Sequence, residues 1–189
     1  VNFTDIIKIV LGTGVLSAIL NSIISHYLTS RNEEKIESNR VKREGTFLAI
    51  RLATTLEGFA HECQNLMASN QNYFTTGGAV GNMYIMLPKI PEYPTDSDWK
   101  CLNVDLAEAA LSFRNEVKEA QYYIDFEIEI NDNEGGANEF IVVSRRIGIA
   151  SLKIAELLRK NYGLPEYKHA LELMNVFEYK EDGAARDIK

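Results

Sequence analysis

Apolar positions recur at helical spacing along most of the chain, interrupted by short polar breaks. Leu48, Leu52, Leu56, Phe59, Cys63 and Leu66 form one seam, and this helix should end near Asn70–Phe74, where Thr75-Thr76-Gly77-Gly78 reads as loop. Leu106, Ala110, Phe113, Val117, Ala120, Ile124 and Ile128 form a second seam, and Phe140, Val143, Ile147, Ala150, Ile154 and Leu157 a third. Spacings that alternate three and four suit packing in an antiparallel helical bundle. Phe59, Phe113, Val117, Ile147, Ile154 and Leu157 are expected in one core. A last helix over about 166–178 offers Ala170, Leu173, Met174 and Phe177.

The breaks carry their own signals. Between the second and third seams, NDNEGGAN reads as a polar turn; no register puts glycine at the sixth position with acids at one, three, five and twelve, so it is not a calcium loop. The alternating FEIEI at 126–130 is compatible with a strand, but reads here as a helix end. The third helix should stop at Asn161-Tyr162-Gly163-Leu164-Pro165, a glycine cap with a proline beyond it. Residues 79–98 hold Pro88, Pro91 and Pro94, spaced by three, which favours an extended connector. It reads as an apolar strap (Tyr84, Ile85, Leu87, Ile90, Tyr93) sealing one end of the bundle, in preference to a docking motif for an aromatic groove. Asp96 or Ser97 can then cap a short helix carrying Trp99, Cys101 and Leu102.

The opening of the chain differs in kind. Ile6–Leu28 is 23 residues long, about 34 Å as a helix, enough for a hydrocarbon core of roughly 30 Å. Lys8, His26 and Tyr27 sit where interfacial side chains belong. Gly14, Ala18 and Ser22 are spaced as a small-xxx-small packing face, beside a polar stripe of Thr13, Ser17, Asn21 and Ser25; Ile9, Leu16, Leu20, Ile23 and Ile24 lie mostly elsewhere. The reading is a transmembrane anchor (1–28). Its rival is a soluble bundle helix, because Asn21, Ser22, Ser25 and His26 weaken the apolar run. Gly12-Thr-Gly14 lacks the third glycine and the later acid of a dinucleotide loop, and SHYLTS is a poor signal-peptide cleavage site. Val1 in place of Met fits a GTG start or a trimmed chain.

Arg31, Lys35, Arg40, Lys42 and Arg43 follow the apolar run, against Lys8 alone before it. By the positive-inside rule the N-terminus faces out and the rest lies in the cytoplasm. Residues 29–45 mix charges of both signs with few apolar side chains, the pattern of a solvated helical stalk; Ser30 and Glu33 match a capping box if the helix restarts there. The expected organisation is therefore all-α: anchor 1–28, stalk 29–45, antiparallel bundle 46–178 and flexible tail 179–189.

Charge and reactive residues narrow the function classes. The net charge of −7 is divided as +1 over residues 1–45 and −8 over 46–189, which argues against nucleic acid as a partner. Cys63 and Cys101 are too few for a disulfide framework and fit a reducing compartment. His61-Glu62-Cys63 is the one local cluster with metal or nucleophile character, but on a helix residues two apart point about 200° away from each other. A Cys63–His169 pair would need tertiary contact; the simpler reading is a core cysteine. Asp98 and Asp105 flank Trp99 without other marks of an acid and base. No cofactor motif, metal motif or catalytic signature is present, and the expectation is no enzyme.

The layout of a single-pass Gly/Ser-faced helix, a charged stalk and a helical domain with the central segment LPKIPEYPTDSDWKCL resembles bacterial and prophage-type single-pass membrane proteins. The resemblance implies a bacterial inner-membrane location and no active residue. The expected function is a membrane-anchored interaction or scaffold module, with the lipid bilayer, further copies of itself and a cytosolic protein as partners. The alternative is a small oligomerising membrane effector, of phage-defence or toxin type, that perturbs the bilayer.

Overall fold

The computed structural model describes residues 3–178, excepting the side chains of residues 3–20, 23 and 24. Their secondary structure is helical, with no strand: α1 (Phe3–Thr75), a 3-10 helix (Trp99–Cys101), α2 (Val104–Asn161) and α3 (Ala170–Glu178). The chain divides into two units, Val1–Arg43 and Glu44–Lys189, and α1 contributes to both.

In the first unit, α1 passes through Ser30 and Glu33 without a break, so the expected capping box starts no new helix. Every described side chain from Ser25 to Arg43 is exposed except Ser30, which is half-buried. Arg31 lies over the Tyr27 ring at 5.1 Å, and Arg40 pairs with Glu37 at 2.9 Å. Pairs this exposed add little stability. Among the described residues no helix is long and apolar enough to cross a membrane; most side chains of Ile6–Leu28 lie outside them, as does the tail 179–189.

In the second unit burial begins at Gly45. Leu48, Leu52, Leu56, Phe59 and Cys63 are buried as the seam predicts, with Met67 continuing it and Leu66 at the margin. α1 ends in a Schellman motif: Gly78 N–H donates to Tyr73 O (2.8 Å) and Gly77 N–H to Phe74 O (3.5 Å).

α2 is two helices joined at one residue. Asp132 has φ 82° and ψ −174°, a backbone region that is essentially glycine's own. Twenty-three residues of straight helix would hold Tyr123 and Arg146 about 34 Å apart, yet the guanidinium lies 5.9 Å from the ring centroid. The chain therefore reverses there. Asp132 also caps the second half, its Oδ1 accepting from Glu134 N (2.8 Å) and Gly135 N (3.2 Å). The expected eight-residue turn is thus much shorter, because the cap restarts the helix at once. FEIEI is helical, as read.

Leu106, Ala110, Phe113, Val117, Ala120 and Ile124 are buried, and Phe113 meets Phe59 edge to face at 5.5 Å. Phe140, Val143, Ile147 and Ile154 are buried too, but Leu157 is 47% exposed while Leu158 is fully buried. Leu157 is a correction to the expected core. The buried face drifts through Gly148 and Ser151, small residues an apolar pattern passes over. Ser151 Oγ donates to Leu56 O at 2.7 Å, and a Cβ on Gly148 would lie 2.4 Å from Cζ of buried Phe177. α3 starts at Ala170, later than expected, and seats Leu173 and Phe177 in the core.

The strap is packed as expected: Leu87, Pro88, Pro91, Tyr93 and Pro94 are buried. Two side-chain amides satisfy its backbone. Asn70 accepts from Tyr84 N (2.5 Å) and donates to Tyr84 O (2.7 Å), while Gln121 accepts from Leu87 N (2.8 Å) and donates to Ile85 O (3.0 Å). The 3-10 helix is capped by Asp98, which accepts from Lys100 N, and neither Asp96 nor Ser97 takes that role.

The reversal makes a stability prediction. Asp132→Ala keeps the unfavourable φ and loses the cap, and should cost about 1–3 kcal/mol in urea denaturation. Asp132→Gly loses the cap but relieves the strain, and should stay within about 1 kcal/mol of wild type. Equal losses from both would show that the backbone at 132 is not what sets the turn.

Candidate functional site

Of the residues marked out by the sequence, Asn21, Ser22 and Ser25 are exposed on α1, and the side chains of Thr13, Gly14, Ser17 and Ala18 lie outside the description. Arg31, Lys35, Arg40, Lys42 and Arg43 are all exposed on α1. Cys63 is fully buried, and burial, with Glu62 adding to it, pushes its thiol far above the ordinary range. His169, by contrast, is exposed and its Nδ1 lies 3.2 Å from Glu172 Oε2.

The polar groups that do converge come from three places. Glu57 and His61 are one turn apart on α1. Arg159 lies in the last turn of α2, and Tyr167 and His169 on the segment leading to α3. The Gly163 cap brings them together. Gly163 takes φ 62°, its N–H donates to Lys160 O (3.4 Å), and Leu164 N–H donates to Arg159 O (2.9 Å), a second Schellman motif that turns the chain back. Tyr167 then reaches His61, with Oη 2.6 Å from Nε2. The rings of His61, Tyr167 and His169 are mutually about 6 Å apart, with centroid separations of 6.0, 6.2 and 5.8 Å.

Below them Arg159 grips Glu57 with two prongs, Nε to Oε1 at 2.5 Å and Nη2 to Oε2 at 2.8 Å, and its Nη1 donates to Pro165 O at 2.8 Å. The Glu57 side chain is 5% exposed and that of Arg159 18%. The hydrogen bonds that Arg159 donates to Glu57 hold the guanidinium more firmly protonated, and partial burial, followed by Glu57, raises the Tyr167 phenol. A cleft of about 800 Å³ opens beside this cluster, walled by Glu57, Leu152, Arg159, Leu164, Tyr167 and Met174. Among the described residues no three or more His, Cys, Asp or Glu side chains are arranged to hold a metal ion. Both carboxylate oxygens of Glu57 and three guanidinium nitrogens of Arg159 are spent on protein partners, so the pair acts as a clasp between α1, α2 and the segment before α3.

A second polar group borders the strap. Arg51 donates to Asp96 (2.8 Å) and to Ser97 Oγ (3.3 Å), and the first bond holds the Asp96 carboxyl below the usual range. Beside it is an open cleft of about 630 Å³ bordered by Thr54, Thr55, Tyr93 and Pro94. Burial pushes the Tyr93 phenol up to about 12, with Arg114 opposing.

The sequence reading missed Glu57, Arg159 and Tyr167. Glu57 was detectable in part: Ala53 and Ala60, four before and three after it, are fully buried, and small residues at that spacing mark a covered helix face. The distant partners left no local signal. No protein-family model matches the chain, no curated protein matches it in sequence, and no solved structure matches it in fold.

The clasp is testable by a mutant cycle. Arg159→Leu strands a buried carboxylate and should cost about 3–5 kcal/mol by chemical denaturation, whereas the Glu57→Leu/Arg159→Leu double variant should recover most of that loss. A double variant as unstable as the single one would mean that the side chains matter only as packing volume.

Proposed function

We propose that the chain is a membrane-anchored helical interaction module of the bacterial inner membrane, with residues 46–178 an antiparallel bundle held in the cytoplasm. One observation carries the reading: the change of surface along α1. Its described side chains face solvent from Ser25 to Glu44, but for half-buried Ser30, and burial begins at Gly45. A solvated helical segment between an apolar run and a closed core is what a spacer requires, and its basic side chains suit anionic headgroups. The pairing of α1 with α2 supports the antiparallel arrangement, since Leu56 meets Ser151 whereas Asn70, further along α1, donates to Ala137 O at 3.2 Å, earlier in α2.

The anchor rests on the composition of Ile6–Leu28 and the basic flank after it. The full chain should sediment with the inner membrane and resist carbonate extraction, and a chain beginning at Arg31 should be soluble. Full-length protein that is monodisperse without detergent would overturn the anchor.

Self-association is the second part of the proposal. Between helices already in lipid, close packing at small residues must supply the attraction. Gly14→Ile should therefore abolish the signal of a transmembrane-association reporter, and Leu16→Ile should leave it nearly unchanged. Equal signals from both variants and wild type would remove the Gly14, Ala18 and Ser22 face from the account.

A further inference from the structure

Helix α2 is apolar on two opposite faces before its reversal. Val117, Ala120 and Ile124 point into the core, yet Tyr122, Tyr123, Phe126 and Ile130 are 66, 52, 45 and 60% exposed. At about 100° per residue, these four and Glu119 and Glu129 fall within a sector about 120° wide, on the side away from the core seam. A helix with one apolar stripe is satisfied by its own domain; a second stripe, left in water, requires another surface to cover it. This also explains FEIEI: Ile128 packs against the core, whereas Phe126 and Ile130 face away from it.

The charge around this stripe states what can cover it. Between Glu116 and Glu139 stand eight carboxylates and one lysine, a net −7, equal to that of the whole chain. Burial, followed by Glu127, raises the Glu139 carboxyl, and Arg146, a cation on the neighbouring half of α2, is engaged over Tyr123. Phosphate backbones and anionic lipid are repelled by such a field, and a second copy would bring the same −7 against it.

We propose that this face docks a basic amphipathic helix of a partner protein, its apolar side chains over Tyr122, Phe126 and Ile130 and its Lys or Arg side chains among the flanking carboxylates. Helix-on-helix docking of this kind is read through anchors at i, i+4 and i+8, the spacing present here. The inference names the partner class for the interaction module proposed above and rests on that reading for the existence of a partner.

The experiment titrates the full chain, in neutral detergent with a detergent-only blank, against a labelled amphipathic helical peptide of lysine and leucine, read by fluorescence anisotropy. The Phe126→Ser/Ile130→Ser double variant, altered only at exposed positions and checked for wild-type helicity, should bind at least about tenfold more weakly. Glu119→Gln/Glu129→Gln should also weaken binding, and wild-type affinity should fall with added salt. Unchanged affinity in the serine variant would overturn the proposal, because charge alone would then explain binding. So would equal binding of a peptide with glutamate in place of lysine. A wild-type dimer by sedimentation that Phe126→Ser/Ile130→Ser dissolves would assign the face to a second copy and overturn it likewise. Membrane fractionation of the same variant reads the anchor separately, so loss of one result leaves the other standing.

Discussion

A straight α2 of 58 residues would be about 87 Å long and would carry its two apolar seams end to end, where neither could face the other. The reversal at Asp132 turns that rod into two helices that meet across a shared core. A single residue in a glycine-like conformation does this, and its own carboxylate then caps the helix that follows. Phe113 of the first half meets Phe59, and Ser151 of the second half meets Leu56, about one turn away on α1; together these contacts require that fold-back. Strain at one backbone position is offset by the apolar area that the two halves remove from water.

Within that frame, small residues decide where elements can approach. Gly148 leaves the space that the Phe177 ring fills, so α3 is anchored by a side chain seated against bare backbone. The clasp of Glu57, Arg159 and Pro165 O ties the segment before α3 to α1 and α2 from the other side. Its charges are nearly buried, which makes the match of both partners more important than the presence of either one. The Asn70 and Gln121 amides do equivalent work for the strap, pairing backbone groups that have no helix or sheet to satisfy them.

Much of the fold was legible because burial follows the 3.6-residue period. The seams from Leu48 to Cys63 and from Leu106 to Ile124, the glycine cap at Gly163, and the packed strap with Leu87 and Tyr93 could each be read locally. Leu157 faces outward because the buried face passes through Gly148 and Ser151, small residues that a three-four alternation of large apolar ones skips. The turn is shorter than the polar run NDNEGGAN suggests, since nothing local shows that Asp132 accepts a positive φ. The clasp was illegible for a different reason: Glu57 and Arg159 are joined only by tertiary folding, as are His61 and Tyr167. The outward stripe of Tyr122, Phe126 and Ile130 was visible only as an ambiguity in FEIEI, which is how a helix with two apolar faces looks to a one-face template.

The second unit is a closed core with a surplus apolar, acidic face at its reversal, joined in sequence to a solvated helical segment and an apolar N-terminal run. That core depends on α2 doubling back. The most direct measurement is a distance between spin labels at the exposed positions Asn115 and Lys153, in a chain carrying Cys101→Ser so that buried Cys63 is the only native thiol. Neighbouring helices lie about 8–10 Å apart, so with label arms the reversed chain should give a narrow distribution below about 35 Å. A distribution centred near 57 Å, about the length of the intervening residues as one straight helix, would contradict the account.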